Sequence, residues 1–200
     1  MRKIGRQRYA FVSYFGSILL LFALLAPIKE PGRTQRLLWV PGYELTWDHF
    51  QGKPDADSKY AALTKIDMSI RQGPLESADA IELIISTELM TDGSWVKPQN
   101  RNQQILVHEQ GHFDIAEYHA RRLRKELLET APINAESLNE DVDRVFDRIF
   151  KEKQMMQRDY ERETDHSLVR DKQLEWQKRI AFLLDSLSDH SDHSVILSLR

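Results

Sequence analysis

Between Thr64 and Ile70 apolar and polar residues alternate one by one, the spacing of a strand with one buried face. A second, more buried strand is predicted over Ala80 to Met90, where Ile81, Leu83, Ile84 and Ile85 cluster. Gly73-Pro74 reads as the turn between them, Asp92-Gly93 ends the second, and an extended piece near Tyr43 to Trp47 supplies a third. From Gln103 the period changes. Ile105, Leu106, Phe113, Ala116, Ala120, Leu123, Leu127 and Leu128 recur at helical spacing among Arg121, Arg122, Arg124, Lys125 and Glu126, predicting one helix from Gln103 to Glu129. The polar run Lys97 to Asn102 precedes it and Pro132 limits its far end. Ser137-Leu138-Asn139-Glu140 has the form of a capping box opening a second helix, with Val142, Val145, Phe146, Ile149, Met156 and Tyr160 on one face. A third amphipathic stretch, Val169 to Leu187, carries Leu174, Trp176, Ile180, Leu183 and Leu184. The expected fold is α+β, a small N-terminal β-sheet followed by a helical part, with no internal repeat.

Charge patterning adds a targeting segment. Arg2, Lys3, Arg6 and Arg8 precede a run without charge from Tyr9 to Ile28, long enough to span a bilayer, with the basic flank kept on the cytoplasmic side. Leu24-Leu25-Ala26 followed by Pro27 is a poor cleavage pattern, which favours a retained anchor over a removed signal peptide. The chain divides into this segment (1–30), one compact domain (37–187) and a polar, mobile tail (188–200) rich in Ser, Asp and His. No cysteine is present, so disulfides, zinc–thiolate sites and a lipid-modified cysteine are excluded. The net charge of −3, with acids and bases interspersed, gives no nucleic-acid surface. Trp39, Trp47, Trp95 and Trp176 are assigned to the core.

The chemistry is concentrated in His108-Glu109-Gln110-Gly111-His112. Residues four apart on an α-helix lie nearly above one another, so both imidazoles can reach one metal ion while Glu109 sits beside it. In that position Glu109 serves as general base towards a water whose pKa zinc lowers, the division of labour behind H-E-x-x-H. Gly111 costs the helix about 1 kcal/mol relative to alanine, which argues for close approach of another group.

A catalytic zinc takes three protein ligands and a water. His119, seven residues beyond His112, lies about 10 Å further along the axis, too far to share one ion. Ile115 stands where a glycine would be needed to break the helix and bring it closer. Glu117 is rotated off the histidine line and suits a salt bridge. The returning second helix brings Tyr160-Glu161-Arg162-Glu163-Thr164-Asp165-His166, from which His166 is preferred as third ligand and Glu163 is the runner-up. Tyr160 is a candidate oxyanion donor, with a place in the core the commoner role for such a residue.

These stretches resemble a bacterial family catalogued as a domain of unknown function and provisionally described as secreted zinc-dependent proteases. The resemblance rests on Leu106 to Glu117, preceded by Ser94-Trp95-Val96, on Leu45 to Gly52, on Tyr60 to Thr64, and on Tyr160 to His166, and covers Leu37 to Ile180. Glu161 and Ser167 depart from the pattern, which has Asp and Gly there. The resemblance implies a zincin-like domain binding one Zn2+ through His108 and His112, with His166 as candidate third ligand and Glu109 as base. The expected function is an exported or membrane-anchored zinc metallopeptidase acting on a peptide or protein of the bacterial cell envelope, on the periplasmic side or released there. Its substrate is expected to lie along Ala80 to Met90 as an edge strand. The alternative is a non-catalytic metal-binding or envelope-interaction module with a structural zinc.

Overall fold

The structure, a computed structural model, describes residues 35–200, so the basic start and the uncharged run after it lie outside the described residues. The chain runs β1 (Arg36–Leu38), β2 (Ala62–Leu63), β3 (Ile66–Glu76), β4 (Ala80–Met90), β5 (Trp95–Val96), α1 (Gln103–Thr130), α2 (Leu138–Thr164), α3 (Arg170–Asp185) and β6 (Ser194–Ser198). The class is α+β, with strands first and three helices after them. Among the described residues no helix is long and apolar enough to cross a membrane.

β4 is the centre of the main sheet. One side pairs antiparallel with β3, while the other is shared by β1, with Arg36 opposite Met90, and by β6, with Ala80 opposite Ser198. Its apolar run fits this position, because a strand with neighbours on both sides has little surface left for water. Ala80 to Met90 is therefore not the edge expected from the sequence.

Three further expectations are corrected. Gly73-Pro74 is not the turn: β3 continues to Glu76 through a register shift between Gln72 and Glu76, where Pro74 needs no ladder donor, and the chain reverses at Ser77 to Asp79. Tyr43 to Trp47 forms no strand and leads into a 3-10 turn at Trp47–His49. The polar tail is not free, since Val195 and Leu197 alternate inward on β6 and are buried. The Ser-Asp-His run that precedes them masks a short apolar signal.

α1 starts where Asn102 accepts the Ile105 amide at 3.0 Å, an N-cap on the last residue of the polar run. α2 starts at Leu138 as expected, but Ser137 donates to Asp141 Oδ2 at 2.7 Å instead of capping the helix. α1 packs on the sheet through Ala120, Leu123 and Leu127, which share a core with Leu83, Ile85, Ile149 and Leu197. Its opposite side meets α2 and α3 around Ile115, Tyr160, Trp176 and Ile180. A helix enclosed on both sides also buries polar residues. Glu117 and Arg124 are fully buried and paired at 2.9 Å, with Arg121 on the same carboxylate at 3.1 Å. Arg124 also donates to the carbonyl oxygens of Ile85 and His190, tying α1 to the central strand and the C-terminal turn.

Candidate metal centre

On α1, His108 and His112 turn their Nε2 atoms towards each other at 3.2 Å. That is close to the spacing of two ligands on one tetrahedral zinc, about 3.3 Å for bonds of about 2.0 Å. The α1·α2 contact supplies the third group. Glu161 places Oε1 2.8 Å from His112 Nε2 and Oε2 3.6 Å from His108 Nε2. All three ligand atoms lie within 4.8 Å of one another.

Both imidazoles are oriented from behind. His108 Nδ1 meets the Gln173 side-chain oxygen at 3.1 Å, and His112 Nδ1 meets that of Gln157. Because an amide oxygen only accepts, each Nδ1 carries the proton and each Nε2 lone pair faces the cluster. Two lone pairs and a carboxylate converging on one point require a cation. Without a metal, a proton on His112 is favoured over that on an ordinary histidine: burial opposes its charged form, but the hydrogen bond with Glu161 and the charges of Glu109 and Glu161 outweigh burial and raise its pKa. Burial likewise works against the Glu161 carboxylate, yet His108 and His112 hold it well below the usual range. The donor set fits a metal ion, with a second layer that fixes the tautomers as metal-bound histidines usually require.

Among the sequence candidates, the structure brings His108, His112 and Glu109 to one place and leaves His166 and Glu163 out of the cluster. α2 ends at Thr164, and Asp165, His166 and Ser167 all take positive φ. That turn sets the His166 ring edge-on to Tyr60, with Nδ1 bonded to Glu161 Oε2. His166 thus bonds the third member of the cluster from outside it. Glu163 points to the other side of α2 and accepts from Trp176 Nε1 at 2.9 Å. His119 is buried, donates from Nδ1 to Ile115 O at 2.9 Å and takes no part in the cluster.

Glu109 accepts a hydrogen bond from Thr64 Oγ1, at the junction of β2 and β3. Its carboxylate lines the same cavity of about 790 Å3 as His112, Glu161 and His166. Tyr160 does not reach that cavity as an oxyanion donor. Fully buried, it stacks on His108 at 4.6 Å, donates to His108 O at 3.1 Å and accepts from Gln173 Nε2 at 2.7 Å. Gly111 explains its own presence, because a Cβ there would stand 2.7 Å from Tyr160 Cζ. Thr64, Gln157 and Gln173 were not singled out as site residues from sequence, and Glu161 was named in the Tyr160–His166 stretch without being chosen as a ligand. The signal for two of them was the four-residue spacing of Gln157 and Glu161, which puts both on the α2 face that meets α1.

The fold and site define an α+β protein with a His-His-Glu cluster able to hold a metal ion and a glutamate beside it. Residues 90–167, which contain the cluster, match the family described as "Bacterial protein of unknown function (DUF922)". No curated protein and no solved structure matches the chain.

Proposed function

We propose that the chain is a metal-dependent hydrolase, most simply a zinc peptidase, with His108, His112 and Glu161 as ligands and Glu109 as general base. Two histidines and a glutamate form one of the ligand sets of catalytic zinc sites. Bound there, zinc supplies a Lewis acid and lowers the pKa of a coordinated water towards neutrality. The chain's own residues do the rest. Gln157 and Gln173 hold the imidazoles, His166 steadies Glu161, and Thr64 aims the Glu109 carboxylate into the cavity. From there Glu109 takes a proton from the attacking water and returns it to the leaving amine.

The observation that carries this reading is Glu109, which lines the cavity with His112 and Glu161 and is not a member of the ligand cluster. A purely structural zinc needs no such carboxylate. The basic start and the uncharged run from Tyr9 to Ile28 support an exported, membrane-anchored protein acting on a peptide or protein in the bacterial envelope. The test is elemental analysis and peptide hydrolysis on the full chain beside Glu109→Gln. About one zinc in both, with hydrolysis only in wild type, is expected. No zinc after reconstitution, or equal hydrolysis by Glu109→Gln, would overturn the reading.

A further inference from the structure

Lys153, Gln157 and Glu161 recur every four residues along α2, and all three line the cavity that holds Glu109 and His112. Lys153 is only 7% exposed. Its ammonium lies 4.1 Å from the centre of the Phe150 ring and has no hydrogen-bonding or ion-pair partner among the described residues. The ring offers a cation a favourable face but no acceptor for three N–H donors. The stem is buried while the ammonium keeps contact with the cavity, and the partial desolvation pushes its pKa down to about 8 despite the attraction of Asp67. Arg158 lines the same cavity from the exposed side of α2.

Glu109 and Glu161 line one end of the cavity together with Arg162, which is already paired with Asp159 and Glu163, while the unpaired Lys153 lies about 12 Å from Glu161 along the helix axis. An extended peptide covers that distance in roughly four residues at about 3.3 Å each. The geometry points to Lys153 as a specificity-determining residue that receives a carboxylate of the substrate three or four residues from the bond hydrolysed at the His108–His112–Glu161 centre. This assignment rests on the hydrolase reading for the location of that bond, while the anion site itself does not. Two sources supply the same chemistry: an Asp or Glu side chain, or the terminal carboxylate of a short peptide.

The test is capture of peptides by immobilised full-length Glu109→Gln protein from a randomised octapeptide pool, once with amidated and once with free C-termini, with and without one equivalent of zinc. At least fivefold enrichment of acidic residues from the amidated pool identifies a side-chain carboxylate. Enrichment confined to free C-termini identifies the terminal one. Either preference must vanish in Lys153→Met, which keeps its retention of neutral peptides, and survive in Lys153→Arg. Equal capture of acidic and neutral peptides, a preference unchanged in Lys153→Met, or loss of neutral peptides together with acidic ones would overturn the proposal. Lys153-dependent capture by a protein that binds no zinc and hydrolyses nothing would leave the anion site standing and remove the hydrolase.

Discussion

Glu161 Oε1 lies 2.8 Å from Nε2 of His112, on a helix that begins 26 positions after the motif and returns beside it. This contact makes Glu161 the expected third ligand. Glu161→Ala is expected to lose the metal, whereas His166→Ala, which removes only a support, is expected to weaken it about tenfold to a hundredfold. Metal titration of the two variants checks this. Retention of full affinity by Glu161→Ala would return the role to another group.

Metal binding should fall with acid. The raised pKa of His112 means that a proton competes with the metal, and the competition sets in at a higher pH than for an ordinary histidine. Apparent zinc affinity measured from pH 8 to pH 5 is expected to drop throughout that range.

Gly111→Ala tests the approach of α2 to the motif. The added methyl meets the ring of a fully buried tyrosine, Cζ at 2.7 Å, so the helices must separate. Overpacking of this kind costs about 1–3 kcal/mol, offset by roughly 1 kcal/mol of helix propensity. A lower Tm together with weaker metal binding is the expected outcome.

Arg124→Met should be among the most damaging substitutions in the described domain. It leaves the fully buried Glu117 with Arg121 alone and strips the carbonyl oxygens of Ile85 and His190 of a donor. Breaking a buried pair in this way costs about 3–5 kcal/mol. Urea unfolding measures it.

Two buried bases give opposite ends of the pH–stability curve. Burial pushes His119 down to about 4, so the folded chain binds fewer protons than the unfolded one between that value and about 6.5. Its contribution is complete above pH 6.5 and is lost as pH falls through 4, on the order of 3 kcal/mol. Lys153, with its pKa near 8, withholds stability below that pH and restores it as pH rises towards 10.5. Lys153→Met is therefore expected to raise stability at pH 7 by about 1–3 kcal/mol and to flatten the alkaline rise, the stability cost of a functional charge. Urea titrations at pH 4, 7 and 10 check both signs.

The local patterns determined much of this molecule. Period-two alternation at Thr64 to Ile70 and the 3.6 period from Gln103 are properties of neighbouring residues; the helix formed over almost the expected span, and the strand formed from Ile66 but ran on past the expected turn to Glu76. His108 and His112 share a helix, so their meeting needs only four residues of backbone. The third group needs a second helix in a definite rotation and register against α1. Sequence could name the stretch from Tyr160 to His166, but the choice among Glu161, Glu163 and His166 depends on where α2 stops and on which face Tyr160 occupies. The packing of Tyr160 against Gly111, Gln157 against His112 and Gln173 against His108 brings Glu161 to the histidines. For the same reason β6, the partners of Arg124 and the isolation of Lys153 became visible only in three dimensions. Each depends on what lies opposite a residue, and chain spacing carries no information about that.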